Sequence, residues 1–221
     1  MTILALDTTS NVASVAVRAH GRLAAKATIH SSSGFGHLIF SAIEECLSDA
    51  RVDLKAVDCF AAGSGPGSFT GLRIGLAAVK GLAEATQRPA IGISNLRALS
   101  SCARQAASLR AVFLDARRGE VYGAVYNPGL QIVMPEMVLR FEAWLAKLDA
   151  GVEYEFISSA PLPVEETRFA GMPFTLAPQT LAAAVAVCAE RDGRAGAWQE
   201  SADLDANYVR RSDAELFWRE N

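Results

Sequence analysis

Leu4-Ala5-Leu6-Asp7-Thr8-Thr9-Ser10-Asn11-Val12-Ala13-Ser14-Val15-Ala16-Val17 has a partner of the same design further along the chain. It is Val112-Phe113-Leu114-Asp115-Ala116-Arg117-Arg118-Gly119-Glu120-Val121-Tyr122-Gly123-Ala124-Val125. Each is a short apolar run closed by Asp and a polar turn, followed by a second apolar run, the pattern of a buried strand feeding a hairpin. Leu6-Asp7 lies 108 positions before Leu114-Asp115, and Ala16-Val17 lies 108 before Ala124-Val125. The identities are few, so the case for a duplication rests on the elements that come after each hairpin.

Those elements occur in the same order twice. In the first half, strands are expected at Ile3 to Leu6, Val12 to Val17 and Arg22 to Ile29, an antiparallel meander. Ser31-Ser32-Ser33-Gly34 reads as a helix cap region. Phe35, Leu38, Ile39, Ala42, Ile43, Cys46, Leu47 and Ala50 then recur at helical spacing, which predicts an amphipathic helix. A strand at Cys59 to Ala62, a glycine-rich loop, a helix from Thr70 to Thr86, an extended piece at Ile91 to Ser94 and a helix from Asn95 to Ala107 complete the half. The second half reads as strands at Ala111 to Asp115, Val121 to Tyr126 and Gln131 to Leu139, a helix at Phe141 to Leu148, a strand at Tyr154 to Ser158 and a helix at Gln179 to Arg191. A duplicated βββαβα unit predicts an α/β protein of the actin-like ATPase (ASKHA, ribonuclease H-like) fold. The expected division is residues 1–107 and 108–202, with 203–221 packing back on the first part.

The 221 residues are 51% apolar and 20% charged, with a net charge of −3, so the chain folds and lacks the basic excess of a free-standing nucleic-acid binder. Cys46, Cys59, Cys102 and Cys188 form no CxxC pair and read as free buried thiols of a reducing compartment. No signal-peptide pattern opens the chain and no apolar run reaches the ~20 residues of a membrane span. The expected location is the cytoplasm, with no membrane partner.

An actin-like ATPase needs a strand-end Asp to hold hydrated Mg²⁺ and small hairpin residues whose N–H groups face phosphate. Asp7, Thr8 and Thr9 meet the first requirement, although an Asp capping its own turn is the plainer reading. Arg117 and Arg118 are bulky where the second hairpin needs small residues. Only Gly193 and Gly196, in polar surroundings read as a loop, come near an adenine-seating pair. The loop 63–71 joins a strand to a helix N-terminus, as a phosphate cradle does, but has neither a GK[ST] ending nor GxGxxG. The alternative is a tight turn that brings a glycine-bearing helix close to a neighbour; Gly71, Gly75 and Ala78 share one face. Ser64, Ser68 and Thr70 sit on this loop without a GxSxG elbow. His20, His30 and His37 form no HxxxH or HExxH pair, so no metal set is expected.

Gly65-Pro66-Gly67-Ser68-Phe69-Thr70-Gly71-Leu72-Arg73-Ile74-Gly75 resembles the signature of the TsaB (YeaZ) family, subunits of the machinery that makes threonylcarbamoyladenosine in tRNA. Leu4 to Thr9, Lys80 to Ala83, Asp115 to Tyr122 and Tyr208-Val209-Arg210-Arg211 are similar to further family segments. Phe35 stands where the family's first helix commonly opens with His, and Phe40-Ser41 stands for its Leu-Pro pair. The resemblance implies a non-catalytic scaffold that pairs with TsaD, the subunit that binds metal and nucleotide and transfers the group to adenosine 37 of tRNAs. TsaE, an ATPase, joins them, and TsaC supplies the threonylcarbamoyl-adenylate. No cofactor of the chain's own is then expected, ATP, Mg²⁺ and metal lying in the partners, and tRNA is met through the complex. The two apolar helices become a partner face carrying Leu38, Ile39, Ile43, Leu72, Gly75, Leu76 and Val79, for TsaD or a second copy of the chain. The alternative is that these faces cover the chain's own sheet. The competing function is a stand-alone actin-like small-molecule kinase or ATPase, or an M22-like peptidase.

Overall fold

Thr2–Asp7 (β1), Val12–Ala19 (β2) and Arg22–His30 (β3) form an antiparallel meander in the computed structural model, which describes residues 1–106, 109–161 and 163–210. Helix α1 (Ile39–Ala50) leads to β4 (Cys59–Gly63), which lies parallel to β1. Helix α2 (Phe69–Thr86) returns to β5 (Ala90–Ile93), parallel to β4, and the short helix α3 (Asn95–Ser100) follows. The sheet order is β3-β2-β1-β4-β5.

The second half repeats this arrangement. Leu109–Arg117 (β6), Glu120–Tyr126 (β7) and Ile132–Arg140 (β8) form its meander. Then come α4 (Phe141–Leu145), β9 (Tyr154–Ser158), β10 (Phe174–Leu176) and α5 (Ala182–Arg194). Read from its β8 edge, the sheet is β8-β7-β6-β9-β10, with the same parallel and antiparallel neighbours as the first. Two mixed sheets of matching topology make this the actin-like fold.

The match is not residue for residue. Leu4 pairs with Val17, whereas Val112, its counterpart 108 positions on, pairs with Ala124 and not Val125. The second hairpin is one residue shorter, so the ungapped alignment holds for β1 and β6 but slips in the following strand. Its turn is tight: Arg118 and Gly119 both have positive φ (57° and 75°), as a two-residue type I′ turn requires. The first hairpin instead opens into the wider loop Thr8-Thr9-Ser10-Asn11.

The period-2 alternation of β1 decides its packing. Leu4 and Leu6 face a core shared with α1 and α2, while Ile3 and Ala5 face α5. In β6, Ala111 and Phe113 pack with α4, and Val112 faces α3. The last helix of each half therefore crosses over: α3 packs on β6, β7 and β9, and α5 packs on β1, β2, β4 and β5. Arg18 to Glu190 (2.5 Å) and Arg97 to Asp192 fasten α5 to β2 and α3. Phe113, Trp144, Phe156 and Phe169 are buried in the second core, each burial contributing about 2–3 kcal/mol.

Several boundaries differ from the sequence reading. Helix α1 starts at Ile39, not Phe35; its N-cap Leu38 makes no side-chain bond, and Ser31 and Ser33 bond each other instead. Phe35 tucks into the core and its carbonyl receives the Leu38 and Ile39 amides, forming a turn before the helix. Helix α3 stops at Ser100, α4 stops at Leu145, and α5 runs on through Gly193. Gly193 is not in a loop: a Cβ there would lie 1.8 Å from the Trp198 ring. Strand β10 was not expected. The proposed division at 107/108, the Ala107 end of the third helix, and 211–221 of the C-terminal segment lie outside the described residues. Cys46, Cys59 and Cys188 are buried free thiols and Cys102 is partly buried; burial pushes the Cys59 thiol up to about 12.

Candidate functional site

Strand β1 ends at Asp7 where the loop after β4 and the start of α3 converge. The Asp7 side chain is buried and accepts bonds from the Thr9 amide (3.2 Å), Thr9 Oγ1 (2.7 Å), Asn95 Nδ2 (3.0 Å) and the Leu181 amide (3.4 Å). Three of these donors converge on Oδ1, and the Leu181 amide alone reaches Oδ2. Burial pushes the Asp7 carboxyl above its ordinary value of 3.8, partly offset by the bonds from Thr9 and Asn95. Two helix N-termini meet at this carboxylate: Asn95 is the first residue of α3 and Leu181 the N-cap of α5, where negative charge is favoured. Asp7 thus serves the first turn of α5, which has no side-chain cap of its own.

Thr8 and Thr9 are also turned inward. Thr8 Oγ1 donates to the Gly71 carbonyl (2.6 Å), and the Ser68 amide donates to the Thr9 carbonyl (2.7 Å). The glycines of the loop and of α2 make this contact sterically feasible. A Cβ at Gly67 would lie 2.5 Å from the Thr9 carbonyl oxygen, at Gly71 1.9 Å from that of Thr8, and at Gly75 2.5 Å from Thr8 Oγ1. The small face of α2 therefore admits the end of β1, not another helix. Ser68 caps α2 by accepting the Gly71 amide (3.3 Å). Gly65, at φ +106°, accepts the Asn95 amide (2.7 Å) and donates to Asn95 Oδ1 (2.9 Å). The Gly65–Pro66 peptide is cis. Ser64 is buried, not exposed as its loop position suggested, and bonds Ile93 and Asn207 through its backbone. Asn95 is one residue that sequence reasoning missed. Its only signal was a polar residue directly after an apolar strand, which reads as ordinary cap chemistry.

Between this assembly and the second hairpin lies a cavity of about 480 Å³. Asp7, Thr9, Pro66, Gly67 and Ser68 line one side, and Asp115, Arg117 and Tyr122 line the other. Asp115 is exposed and its Oδ1 accepts the Arg117 amide (2.7 Å), so it caps its own turn. Phe69, Thr70 and Arg73 face outward; Arg73 stacks over the Phe69 ring (3.9 Å) and donates to Tyr208 (3.4 Å). Among the described residues, no group of three His, Cys, Asp or Glu side chains could hold a metal ion.

The proposed partner face is corrected. Ile39, Ile43, Leu72, Gly75, Leu76 and Val79 are buried against the chain's own sheet, with Leu38 partly buried beside them. The apolar stripe of a surface helix is the stripe it spends on its own core. The outward faces carry Phe40, Ser41, Glu44 and Glu45 on α1, and Arg73, Ala77, Gly81 and Glu84 on α2.

A second carboxylate also escaped the sequence reading. Glu136 Oε1 accepts from Ser94 and from the Tyr126 hydroxyl (2.7 Å), and Oε2 accepts from Asn207 Nδ2 (2.6 Å). It joins the end of β5, β7 and the C-terminal stretch.

Residues 30–205 match the family model described as TsaD: tRNA N6-adenosine threonylcarbamoyltransferase. The chain is 40% identical over 127 residues to the tRNA threonylcarbamoyladenosine biosynthesis protein TsaB of Haemophilus influenzae, covering 55% of this chain and 52% of that protein. With the protein of the same name from Bacillus subtilis it shares 30% over 151 residues, covering 67% of this chain and 66% of that one. The chain thus matches about half to two thirds of these relatives' length. A Pseudomonas aeruginosa structure described as similar to peptidase YEAZ superposes with a TM-score of 0.78 at 29% identity, covering 95% of this chain and 99% of that one. The ethanolamine utilization protein EutJ of Carboxydothermus hydrogenoformans, at 10% identity, 85% and 90% coverage and TM-score 0.53, shares the fold alone. Matching sheets, a signature loop folded onto the end of β1 and this agreement in sequence lead to one conclusion: the chain belongs to the TsaB (YeaZ) family, within the wider group that the threonylcarbamoyltransferase model describes.

Proposed function

We propose that the chain acts in tRNA threonylcarbamoyladenosine biosynthesis as a non-catalytic subunit that pairs with and supports TsaD. The observation that carries the non-catalytic part is the state of Asp7. The acid that would hold hydrated Mg²⁺ in an actin-like ATPase already has four internal donors and caps α5. Recruiting it to a cation would displace the Thr9 donors from Oδ1 or the Leu181 amide from Oδ2, at ~1–3 kcal/mol for each donor left unpaired, while Asn95 Nδ2 would keep its bond to Thr9 Oγ1 (2.7 Å). The pathway assignment draws on the names of the relatives, and the pairing with TsaD on the resemblance of the signature loop.

In this reading α1 and α2 meet TsaD through their outward residues, Phe40, Arg73 and Ala77 among them. TsaE and TsaC act in the same pathway, tRNA is met through the complex, and ATP, Mg²⁺ and metal belong to the partner subunits. The location is the cytoplasm, where tRNA is modified.

One observation favours the stand-alone ATPase reading: the cavity of about 480 Å³ between the two hairpins is large enough for a small ligand. Calorimetric titration separates the two. The subunit reading predicts no heat from Mg-ATP with the isolated chain and a 1:1 isotherm with TsaD. Micromolar Mg-ATP binding without TsaD would overturn it.

A further inference from the structure

Two of the links between the sheets lie at the floor of the cleft, where Asn95 at the start of α3 and Leu181 at the start of α5 both reach Asp7. Behind that line the crossing helices α3 and α5 pack on each other and on the two sheets, and two bodies linked along one such layer can hinge about it. A separate link sits on the hairpin rim. Leu204 is fully buried in the core of the first sheet, which anchors the C-terminal stretch. The Asn207 amide donates to the Ser64 carbonyl (2.7 Å), and its side chain donates to Glu136 on β8 (2.6 Å). Three residues on, Arg210 reaches the β6–β7 hairpin. Its Nη1 donates to the Ala116 carbonyl (3.0 Å), its Nη2 pairs with Glu120, and its guanidinium lies 5.6 Å from the Tyr122 ring centre. Arg210 is also part of the cavity wall.

We propose that residues 204–210 are a latch that fixes the separation of the two sheets, with Arg210 as its catch on the β6–β7 hairpin. A planar guanidinium that spends one side on a carbonyl and the other on a carboxylate holds that hairpin in position and orientation, which a single contact would not. The latch also has an outer face. The Tyr208 ring lies 5.4 Å from the Phe69 ring at the first turn of α2, and Arg73 donates to its hydroxyl. Tyr208 and Arg210 are only two residues apart, so whatever covers the first turn of α2 bears directly on the catch. The latch stands whether or not TsaD is the partner.

Hydrogen exchange on the full chain, read by mass spectrometry, tests it. In Arg210→Ala, amides of 116–122 are expected to exchange on the order of tenfold faster, while those of β1 and β4 keep their wild-type rates. Glu120→Gln, which breaks the ion pair from the hairpin side and leaves 204–210 intact, is expected to do the same to a smaller extent. Arg210→Lys, which keeps the charge and loses the fork, is expected to fall between wild type and Ala. Unchanged hairpin exchange in Arg210→Ala and Glu120→Gln would overturn the latch. So would an increase spread evenly over both sheets, because that marks general loss of stability.

Discussion

Alanine at Gly71 and at Gly81 places the same methyl group on the same helix with opposite expected results. A Cβ at Gly71 would lie 1.9 Å from the Thr8 carbonyl oxygen, and one at Gly81 would meet nothing within 4 Å. Ordinary contact between these atoms is ~3.2 Å, so α2 and the end of β1 must separate by over ~1 Å, on the scale of core overpacking at ~1–3 kcal/mol. That shift also stretches the bonds from Thr8 Oγ1 to Gly71 and from the Ser68 amide to Thr9, each contributing ~1 kcal/mol. Against this stands ~1 kcal/mol of helix propensity gained by replacing glycine. Gly71→Ala should therefore cost ~2–4 kcal/mol, and Gly81→Ala should gain ~0.5–1 kcal/mol. For a chain of this size, 1 kcal/mol moves Tm by ~2–4 °C. Thermal unfolding followed by calorimetry should show a drop of ~5–15 °C for Gly71→Ala and a rise of ~1–4 °C for Gly81→Ala. Equal Tm values for the two variants would refute the claim that the signature glycines exist to admit Thr8.

Asp7→Asn keeps an acceptor for Thr9 and Asn95 and removes the charge. Because burial raises the Asp7 carboxyl above 3.8 in the folded state, its contribution is fully present below 3.8 and is lost as pH rises through the folded value. Urea titrations across pH should show this slope in the wild type and not in Asp7→Asn. The variant should support tRNA modification within about twofold of wild type; a loss of 10²-fold or more would restore Asp7 to a catalytic role. Glu190 behaves in the opposite sense. Burial pushes its carboxyl up, but Arg18 and Arg194 outweigh this and hold it below 4.5. Its stabilisation is present above 4.5 and lost as pH falls through the folded value. Glu190→Gln should cost ~1–3 kcal/mol at pH 7, a difference that disappears in acid. On the outward helix faces, Phe40→Asp with Ala77→Glu should weaken TsaD binding by tenfold or more in calorimetry and leave Tm within ~3 °C. An unchanged isotherm would move the partner surface elsewhere.

The sequence made the strands of both meanders legible because each is a short apolar run closed by turn residues, and α1 and α2 legible because their apolar positions recur at helical spacing. The same periodicity misled the choice of partner face. Leu72, Leu76 and Val79 form a stripe because they are core, and a pattern search cannot tell a stripe bound for the chain's own sheet from one bound for another chain. Strand β10 escaped because three residues, Phe174–Leu176, are too few to show alternation. The slip in the second hairpin escaped because Ala124-Val125 mimics Ala16-Val17 while pairing one residue out of step. At the site, Asp7 was found by its place at a strand end. Its partners Asn95 and Leu181 lie 88 and 174 positions away, and only the crossing of α3 and α5 between the sheets brings them to it.

The central claim is that this chain is a required subunit without chemistry of its own. Reconstitution tests it most directly: purified TsaC, TsaD and TsaE with tRNA, threonine, bicarbonate and ATP, with and without the chain, modified adenosine being counted by mass spectrometry. The account predicts modification only when the chain is present, and none from the chain alone with threonylcarbamoyl-adenylate and tRNA. Equal modification with and without it, from a TsaD active with its own subunit, would contradict the account.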